Sequence, residues 1–425
     1  MTTAVVGAGP VGLVCAQALA RRGEQVLLVD PETGPAPDGT WKRRGVMQFH
    51  HPHFFRHLVR MVLEEHAPQM WDAVVASGCV VNAPPPGVPP FVTTVAARRS
   101  TFEGALRSVA HERVHRVAAL ADEVVVRGDR VVGLVAGDRA YDVDRVLVAA
   151  GRSSRLGDDL RPEAEGGPCG QSYVSRTYRA RAGVEPLVSW APLGRLYDGY
   201  LTIVFPQDAG TLSALVVRPS DDKAWSALWD DACFDRAAAL VPHLAPWTDP
   251  ERFEPMTPVW RGGTLTNSCR RQGTLPAGLF FVGDSVCTTN PAAGRGVSLG
   301  LLQAGELLRL LALHLDPRDC SAAFDAWCLE RVKPWFDDHV ARDVCGLQTA
   351  DGAWFDPDGP LTSDVYCAAA EQDPSLLDLV SAYQGMVALP DSLQAGEQRV
   401  RELLRTGWRP RVDDGPSRDE LVGAA

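Results

Sequence analysis

Short apolar runs alternate with turn-forming residues at the amino terminus of the chain. Residues 3–6 predict a first strand, the run that ends at Arg22 fits a helix, and residues 25–29 predict a second strand that ends in Asp30. Between the first strand and the helix lies the G-x-G-x-x-G sequence of residues 7–12. This order of strand, glycine-rich turn, helix, strand and acid is the one that a dinucleotide-binding βαβ unit requires.

Each glycine of this turn has a structural role. Gly7 permits the tight turn, Gly9 lets the backbone approach a pyrophosphate, and Gly12 lets the helix pack against the strand. The helix amino terminus directs N–H groups at the anion, and Asp30 can accept hydrogen bonds from a ribose diol. The alternative is a glycine-rich turn in another kind of α/β domain, and the flanking strands with their terminal acid argue against it.

A second pattern of this kind occurs in the last third of the chain. Residues 279–282 predict a short strand, which is followed by Gly283 and Asp284, by the glycine pair of residues 294–296, and by an apolar helix from about residue 297 to residue 315. An acid at a strand end and a glycine-containing helix entry make a second site for a hydroxyl group and an anion. Asp284 can hold a ribityl hydroxyl group while the amides of 294–296 face a negative ring edge, which favours FAD over NAD.

The remaining patterns predict a meander, a further sheet and a helical region. The predicted meander strands cover residues 123–126, 131–135 and 145–149, separated by Gly-Asp turns. Further strands are predicted over 173–179, 200–205 and 211–218, with helices over 221–230 and 233–240. An aromatic-rich helix is expected over 321–344, and the polar segment 411–425 is expected to be a loose tail.

Composition then excludes several classes of function. With 425 residues the chain can form two or three packed units. Its net charge of −11 argues against nucleic acid or an anionic membrane as a partner, because both bind basic surfaces. Ten cysteines include no C-x-x-C pair, and no apolar run is long enough to span a bilayer. Without the pattern of a signal peptide, a cytoplasmic protein with reduced thiols is expected.

The two glycine-and-acid segments together resemble the FAD-dependent monooxygenase superfamily of the para-hydroxybenzoate hydroxylase type, in which a G-D motif is followed by P-x-x-G-x-G and a helix. Residues 98–107 resemble the R-x-x-L-E-x-x-L-R helix start of that family. Residues 150–155 resemble a variant that occurs in its halogenase-like and geranylgeranyl-reductase-like branches. The resemblance spans about residues 3–315.

The resemblance implies FAD as the cofactor and assigns it a set of residues. The amino-terminal turn would hold the ADP half, the G-D motif the ribityl and pyrophosphate region, and the later glycine loop would lie beside the isoalloxazine ring. The predicted cofactor-binding residues are Gly7, Gly9, Gly12, Asp30, Arg44, Arg99, Gly283, Asp284, Pro291, Gly294, Arg295 and Gly296. No metal site is expected.

Two departures from the family pattern concern the reductant. Cys287 replaces the usual histidine after the G-D motif, and Gly151-Arg152 replaces an acid that the family associates with both FAD and NAD(P)H. The chain also lacks a second G-x-G-x-x-G. Either NADH or NADPH binds transiently, or a partner flavin reductase delivers the reducing equivalents.

The expected fold class is α/β: a Rossmann-like FAD-binding domain with a β-meander, a mixed-sheet (α+β) substrate domain and a helical carboxy-terminal region. The expected boundaries are 1–170 with 262–320 for the FAD-binding domain, 171–261 for the substrate sheet, 321–410 for the helical region and 411–425 for the tail.

Four histidines within residues 50–57 can supply a general base near neutral pH. His51 and His53 are the predicted catalytic residues, because they lie in a stretch similar to a P-Q-x-x-H-x-H segment of one subset of the family. The alternative is a solvated loop with phenylalanines packed beneath it. The H-E-x-x-H match at 111–115 and the G-x-S-x-G match at 296–300 lack the context of a zinc site and of a nucleophile elbow.

The resemblance implies that the middle sheet covers the flavin ring and carries the substrate pocket. Arg176, Tyr178, Tyr200 and Trp260 are the candidate substrate contacts, although each residue type is also common in a core. The implied reaction is hydroxylation or epoxidation of an aromatic or polycyclic small molecule with O₂, through a flavin C4a-hydroperoxide, by a monomer or homodimer. The alternatives are a flavin-dependent halogenase, a reductase or dehydrogenase of the same fold, and a non-catalytic FAD-binding protein.

Overall fold

The computed structural model describes residues 1–36, 38–41, 43, 45–84, 86–189, 191–263, 265–348 and 358–423. The strands are β1 (Thr2–Val6), β2 (Gln25–Val29), β3 (Phe54–Phe55), β4 (Val80–Asn82), β5 (Thr94–Ala96), β6 (Val114–Val117), β7 (Ala121–Arg127), β8 (Arg130–Ala136), β9 (Arg139–Asp142), β10 (Arg145–Val148), β11 (Glu165–Pro168), β12 (Gln171–Ala180), β13 (Leu193–Tyr197), β14 (Tyr200–Pro206), β15 (Thr211–Pro219), β16 (Phe253–Pro255), β17 (Trp260–Arg261), β18 (Thr266–Cys269), β19 (Leu279–Phe281) and β20 (Cys287–Thr288).

The α-helices are α1 (Pro10–Arg21), α2 (His57–His66), α3 (Pro68–Ala76), α4 (Arg99–Ser108), α5 (Asp231–Leu240), α6 (Ala245–Thr248), α7 (Gly296–Ala312), α8 (Pro317–Arg331), α9 (Lys333–Gln348), α10 (Ser363–Gln372), α11 (Leu377–Gln384), α12 (Glu397–Arg405) and α13 (Arg418–Gly423). None of the helices in the described ranges is long and apolar enough to cross a bilayer.

A five-stranded parallel sheet organises the amino-terminal half. Its order is β19-β10-β1-β2-β6, and the register pairs Val6 with both Val29 and Val148. The carboxyl ends of the central strands therefore meet at one edge, where open α/β sheets bind their ligands. Helix α1 packs on this sheet and α7 packs against α1, so the predicted α/β class with a Rossmann-like unit is confirmed.

One predicted strand of the meander belongs to the parallel sheet instead. The antiparallel meander consists of β7, β8 and β9, and the prediction that residues 145–149 form its third strand is wrong. Strand β10 pairs with β1 and β19, and Val146, Leu147 and Val148 are fully buried. A continuous buried apolar run fits a central parallel strand, whereas the more exposed β9 fits the edge of a meander.

The second sheet is antiparallel and has a core on each face. Its order is β13-β14-β15-β12-β16, with β17 also paired to β12. Alternation along β15 sends Ala214 and Val216 to a core formed with α5, while Leu215 and Val217 face a smaller core with Phe54. The second face is the one turned toward the amino-terminal unit.

The helical region differs from its prediction in one respect. The helix expected over 321–344 is divided into α8 and α9, which meet at Val332. Pro334 lies in the first turn of α9, where its missing N–H costs nothing, but it cannot continue α8. The H-E-x-x-H stretch spans a turn and β6, because α4 ends at Ser108.

Residues 411–425 were expected to be a loose tail, but the described part of this segment packs against the second sheet. The Asp413 amide donates to the Leu196 carbonyl at 2.8 Å, and Arg418 pairs with Asp222 at 2.6 Å. In α13, Leu421 is buried in the α5-side core of the second sheet. The segment is polar because most of its side chains face solvent. Its composition therefore does not indicate that Leu421 is buried.

Leu421→Ala is expected to lower the free energy of unfolding by about 2 to 4 kcal/mol, because it leaves a cavity in a closed core. Urea unfolding followed by tryptophan fluorescence measures the change. Val412→Ala is the matched control, because Val412 is 47% exposed in the same segment. Equal midpoints for the two variants would show that α13 does not contribute to this core.

Candidate functional site

A cavity of about 620 Å³ lies where the central strands of the parallel sheet end. We call it the sheet-edge cavity. Among its lining residues are eleven of the predicted site residues: Gly7, Gly9, Asp30, His51, His53, Arg99, Gly283, Asp284, Pro291, Gly294 and Gly296. Residues from distant parts of the chain, predicted separately, therefore face one space.

The amino-terminal turn is shaped by close backbone approaches. A Cβ on Gly12 would lie 1.9 Å from the Gly7 carbonyl oxygen, and one on Gly7, whose φ is +102°, would lie 2.4 Å from that of Ala149. Gly12 therefore packs behind the turn and does not line the cavity. A Cβ on Gly9 would meet no atom within 4 Å. The backbone at the start of α1 is thus open to a ligand, as an anion site requires.

Asp30 holds the turn as well as facing the cavity. Its carboxylate accepts hydrogen bonds from the amides of Ala8 at 2.6 Å and Glu32 at 2.8 Å, and Arg43 lies 3.4 Å away. Both oxygens already have protein donors. A ribose hydroxyl would add to this set at the remaining lone pairs.

A buried carboxylate connects two arginines at the cavity wall. Glu103, which is fully buried, accepts from Arg43 Nη1 and from Arg99 Nε, both at 2.5 Å. Arg44, a predicted cofactor residue, lies outside the described residues, whereas its neighbour Arg43 lines the cavity. Sequence reasoning missed Arg43. No local pattern singles out Arg43, because its partner Glu103 lies 60 residues away in the chain.

Of the two predicted catalytic histidines, His51 is buried and His53 is half-buried, and both are neutral at neutral pH. His53 Nδ1 lies 2.9 Å from the His51 carbonyl oxygen, and its Nε2 lies 3.2 Å from Arg99 Nη1. His51 Nδ1 lies 2.8 Å from Ser175 Oγ, and the ring also hydrogen-bonds the backbone of Arg261. Burial lowers the pKa of His51 to about 4 and that of His53 to about 3. With their ring nitrogens engaged, both side chains are placed to position Arg99 and β12.

Asp284 presents a carboxylate to the cavity. It follows β19 in a single 3-10 turn, and no described residue hydrogen-bonds its side chain. Desolvation by the cavity walls raises the pKa of Asp284, with Arg99 and Arg152 opposing that effect. A free acceptor that faces the open cavity is suited to a hydroxyl donor.

Residues 290–296 form the glycine loop, which buried polar groups hold from behind. The Asn290 side chain donates to Asp343 at 2.7 Å and its backbone amide donates to Asn267 at 2.7 Å. Arg295 is turned away from the cavity. Its guanidinium pairs with Asp338 at 2.7 Å and lies over the ring of Tyr383. Only the backbone of Arg295 remains at the predicted cofactor position.

The predicted substrate residues separate into two groups. Arg176 pairs with Asp235 at 2.7 Å, and Tyr178 donates to the same carboxylate at 2.6 Å, so both bind α5 on the far face of the sheet. Trp260 stacks on His50 at 4.1 Å. These three residues line neither of the two cavities described here, whereas Tyr200 lines the second one.

This second cavity, of about 400 Å³, is the hairpin cavity. It lies between the β13–β14 hairpin, the glycine loop, α9, α10 and residues 410–413. Ala292 lines both cavities, so the glycine loop forms their common wall.

The residues of the sheet-edge cavity fit FAD. The open backbone at Gly9 suits a pyrophosphate, the guanidinium groups of Arg43 and Arg99 lie at the cavity wall, and Asp284 offers a free acceptor. A Cβ on Gly296 would also meet no atom within 4 Å, so the glycine loop is open to a flat ring system. The donor set therefore matches the predicted cofactor from its anionic end to its ring.

Sequence comparisons identify relatives of the chain. Residues 2–122 match the family model described as FAD dependent oxidoreductase. The chain is 28% identical over 364 residues to the menaquinone reductase of Mycobacterium tuberculosis, a match that covers 81% of this chain and 83% of that protein.

Comparison with solved structures gives the fold. The flavin-dependent brominase Bmp2 superposes with a TM-score of 0.65 at 17% identity, over 96% of this chain and all of that one. PqsL, a probable FAD-dependent monooxygenase from Pseudomonas aeruginosa, gives 0.61 at 16% identity, over 83% and 96%. At these identities the likeness establishes a shared fold.

Asp284→Asn is expected to weaken FAD binding about 10- to 100-fold, because it removes a charged acceptor from a hydrogen bond. The unfolding midpoint of the apoprotein should stay unchanged, since no described residue depends on this carboxylate. Titration of the apoprotein with FAD, followed by flavin fluorescence, measures the affinity. Ser285→Ala is the matched control, because Ser285 does not line the sheet-edge cavity. Equal FAD affinity in both variants would contradict the assignment of Asp284.

Acid should destabilise the protein through His51. The unfolded chain binds a proton below about pH 6.5, and the folded chain only below about pH 4, so stability is lost as the pH falls through that window. This contribution amounts to about 2 kcal/mol between pH 7 and pH 5. His51→Gln should therefore lose less stability over this range than the wild type in urea titrations. Variant His115→Gln, at an exposed strand position, should follow the wild type, and an identical pH dependence for all three proteins would contradict the prediction.

Proposed function

Because this chain is an FAD-dependent oxidoreductase with the fold of the flavin-dependent monooxygenases, we propose that it inserts one oxygen atom of O₂ into an organic small molecule, by hydroxylation or epoxidation. When bound, FAD would supply the two-electron chemistry and the activation of O₂. The chain's own residues would bind and orient the reactants and exclude water.

The observation that carries this proposal is the chemistry of the apolar wall of the sheet-edge cavity, beside the glycine loop. This wall is formed by Phe54, Phe55, Tyr173, Phe205 and Leu215, all buried. Burial raises the pKa of Tyr173, so it stays protonated at neutral pH. A dry apolar wall suits oxygen insertion, which needs no side-chain nucleophile, and protects the reactive site from water.

We assign His51 and His53 positioning roles in this reaction. His53 fixes the Arg99 guanidinium from one side while Glu103 fixes it from the other. Arg99 would then contribute a fixed positive charge at the cofactor. The low pKa values of both histidines make them poor proton acceptors at neutral pH, so a substrate that must lose a proton would lose it to water or another ligand.

The reductant is proposed to be NADH or NADPH, either directly or through a partner flavin reductase. Gly151, Arg152 and Ser153 line the sheet-edge cavity where the family has an acid. Arg152, on the exposed rim, is the group suited to a phosphate-bearing reductant.

A second candidate function is that of a reductase, which transfers hydrogen to its substrate and inserts no oxygen. The 28% identical menaquinone reductase, aligned over most of both chains, favours it. Such a reaction would deliver a hydride and a proton to the substrate, and the apolar wall of the sheet-edge cavity offers no carboxylic acid among the described residues.

Isotopically labelled O₂ separates the two functions. The holoenzyme would be incubated with NADH or NADPH, with and without an added flavin reductase, and with 2-naphthoate or a menaquinone with an unsaturated side chain. Oxygen uptake coupled to a product that carries the label is expected. A product that gains two hydrogen atoms without label would establish the reductase instead, and protein that takes up no FAD would overturn both.

A further inference from the structure

Two buried thiols face each other across the short sheet that precedes the glycine loop. The register of the antiparallel strands β18 and β20 sets Cys269 directly opposite Cys287. Cys269 is 8% exposed and Cys287 is 1% exposed, and both are free thiols. Neither side chain lines the sheet-edge cavity or the hairpin cavity, so the pair lies beside the candidate cofactor site and outside it.

The backbone holds this pair at a position that suits a disulfide. The Arg270 amide donates to the Val286 carbonyl oxygen at 2.7 Å, so the hydrogen-bonded position is the next one along the two chains. Cys269 and Cys287 are therefore a non-hydrogen-bonded pair. In such a pair the opposed Cα atoms lie about 4.5 Å apart, within the range of about 4.4 to 6.8 Å that a disulfide requires. The bond can close with little movement of either strand.

The two thiols contact each other and differ in acidity. Their side chains share a hydrogen bond. This bond, with Lys333 nearby, lowers the pKa of Cys269, whereas the same bond and burial raise the pKa of Cys287 well above its ordinary value. The charged groups that act on Cys269 are Lys333, Glu165 and Asp337, and Lys333 pairs with both acids. Cys269 is thus the more exposed thiol of the pair and the better nucleophile.

A third thiol lies near the pair on another element. Cys328 on α8 is 7% exposed and acts electrostatically on Cys269 and Cys287. No strand pairing sets it opposite either of them. The three thiols do not make a metal site, since no cluster of ligands within the described ranges could hold a metal ion. Thiol oxidation is therefore the chemistry that this arrangement favours, and the strand register selects the two partners.

We propose that Cys269 and Cys287 form a reversible disulfide when the protein meets hydrogen peroxide, and that this bond holds β20 to β18 beside the sheet-edge cavity. Cys269, as the thiolate, attacks one peroxide oxygen; the O–O bond breaks, and a sulfenic acid and hydroxide form. Cys287 then attacks the oxidised sulfur and displaces water. Over both steps two thiols and one peroxide give one disulfide and two water molecules, and two electrons pass from sulfur to oxygen.

The position of the bond determines its effect on the protein. Strand β20 lies between Asp284 and the glycine loop, and its residue Thr288 lines the sheet-edge cavity. Across the pair, the Asn267 side chain on β18 accepts the Asn290 amide of the loop at 2.7 Å. A covalent bond between the two strands adds to this hydrogen bond and restricts opening of the chain around the cavity. It should therefore slow the release of FAD, whereas formation of the bond does not depend on the reaction that the protein catalyses.

Peptide mapping of the wild-type holoenzyme tests the bond. Arg270 and Arg271 separate Cys269 from Cys287, so trypsin places these cysteines on different peptides, and Cys328 falls on a third. A small molar excess of hydrogen peroxide, followed by alkylation and digestion, should yield a peptide pair that joins Cys269 to Cys287. Two of the ten thiols should be lost, and dithiothreitol should restore both. A bond to Cys328, or a sulfinic acid at Cys269 without a cross-link, would overturn the inference.

Two variants make the effect of the bond specific. The oxidised wild type should melt at a higher temperature than the reduced protein and release FAD several-fold more slowly, measured by flavin fluorescence after dilution. Cys287→Ala should show neither change after peroxide, whereas Cys328→Ala, the matched control at another buried cysteine, should respond as the wild type does. A cross-link that leaves FAD release unchanged would overturn the role of the bond at the cavity. None of these results depends on whether labelled oxygen enters a product, so failure of the proposed function is recognised separately.

Discussion

The buried carboxylate of Asp343 fixes the segment on which both cavities depend. It accepts hydrogen bonds from Asn267 at 2.6 Å and from Asn290 at 2.7 Å, and so joins β18 and the glycine loop to α9. Arg56 supports the same loop from the other side by donating to the Ala293 carbonyl oxygen at 2.8 Å. Removing one member of such a network leaves another buried polar group unpaired. The glycine loop is thus held by groups that do not line the sheet-edge cavity, and its open face stays available.

Charge is distributed unequally between the two faces of this loop. On the side of the sheet-edge cavity, Arg43 and Arg99 share the buried Glu103, and the nearby histidines are neutral. The fixed charges there are held in place before any ligand arrives, which lowers the reorganisation that a reaction requires. On the hairpin side Asp222 acts electrostatically on the buried Arg218, without an ion pair between them among the described residues. The fixed charges beside the sheet-edge cavity suit a cofactor that stays bound.

The predictions that succeeded rest on local sequence patterns. The strands and helix around Gly7 and the placement of Asp284 depend on neighbouring residues and on strand ends, so their spacing could be interpreted from sequence. The predictions that failed depend on contacts between distant segments. Whether residues 145–149 join the meander is decided by pairing with β1, and the orientation of Arg295 is decided by Asp338 and Tyr383. Tyr178 is a further example. The alternation of side chains along a strand assigns Tyr178 to one face of the sheet, but it does not say which of the two faces lies toward the cofactor site.

The docked carboxy-terminal segment also constrains how the chain folds. Its contacts join residues far apart in sequence: Tyr200 donates to the Pro416 carbonyl oxygen, and Arg418 pairs with Asp222 across 196 residues. Closing a loop of this length costs conformational entropy before the stabilising contacts can form. Contacts between residues far apart in sequence therefore slow folding. The intervening chain includes the glycine loop and the helical region. The core on the α5 side of the second sheet is therefore expected to close late, after the cofactor-binding unit has folded, and to be the part most exposed to misassembly during synthesis.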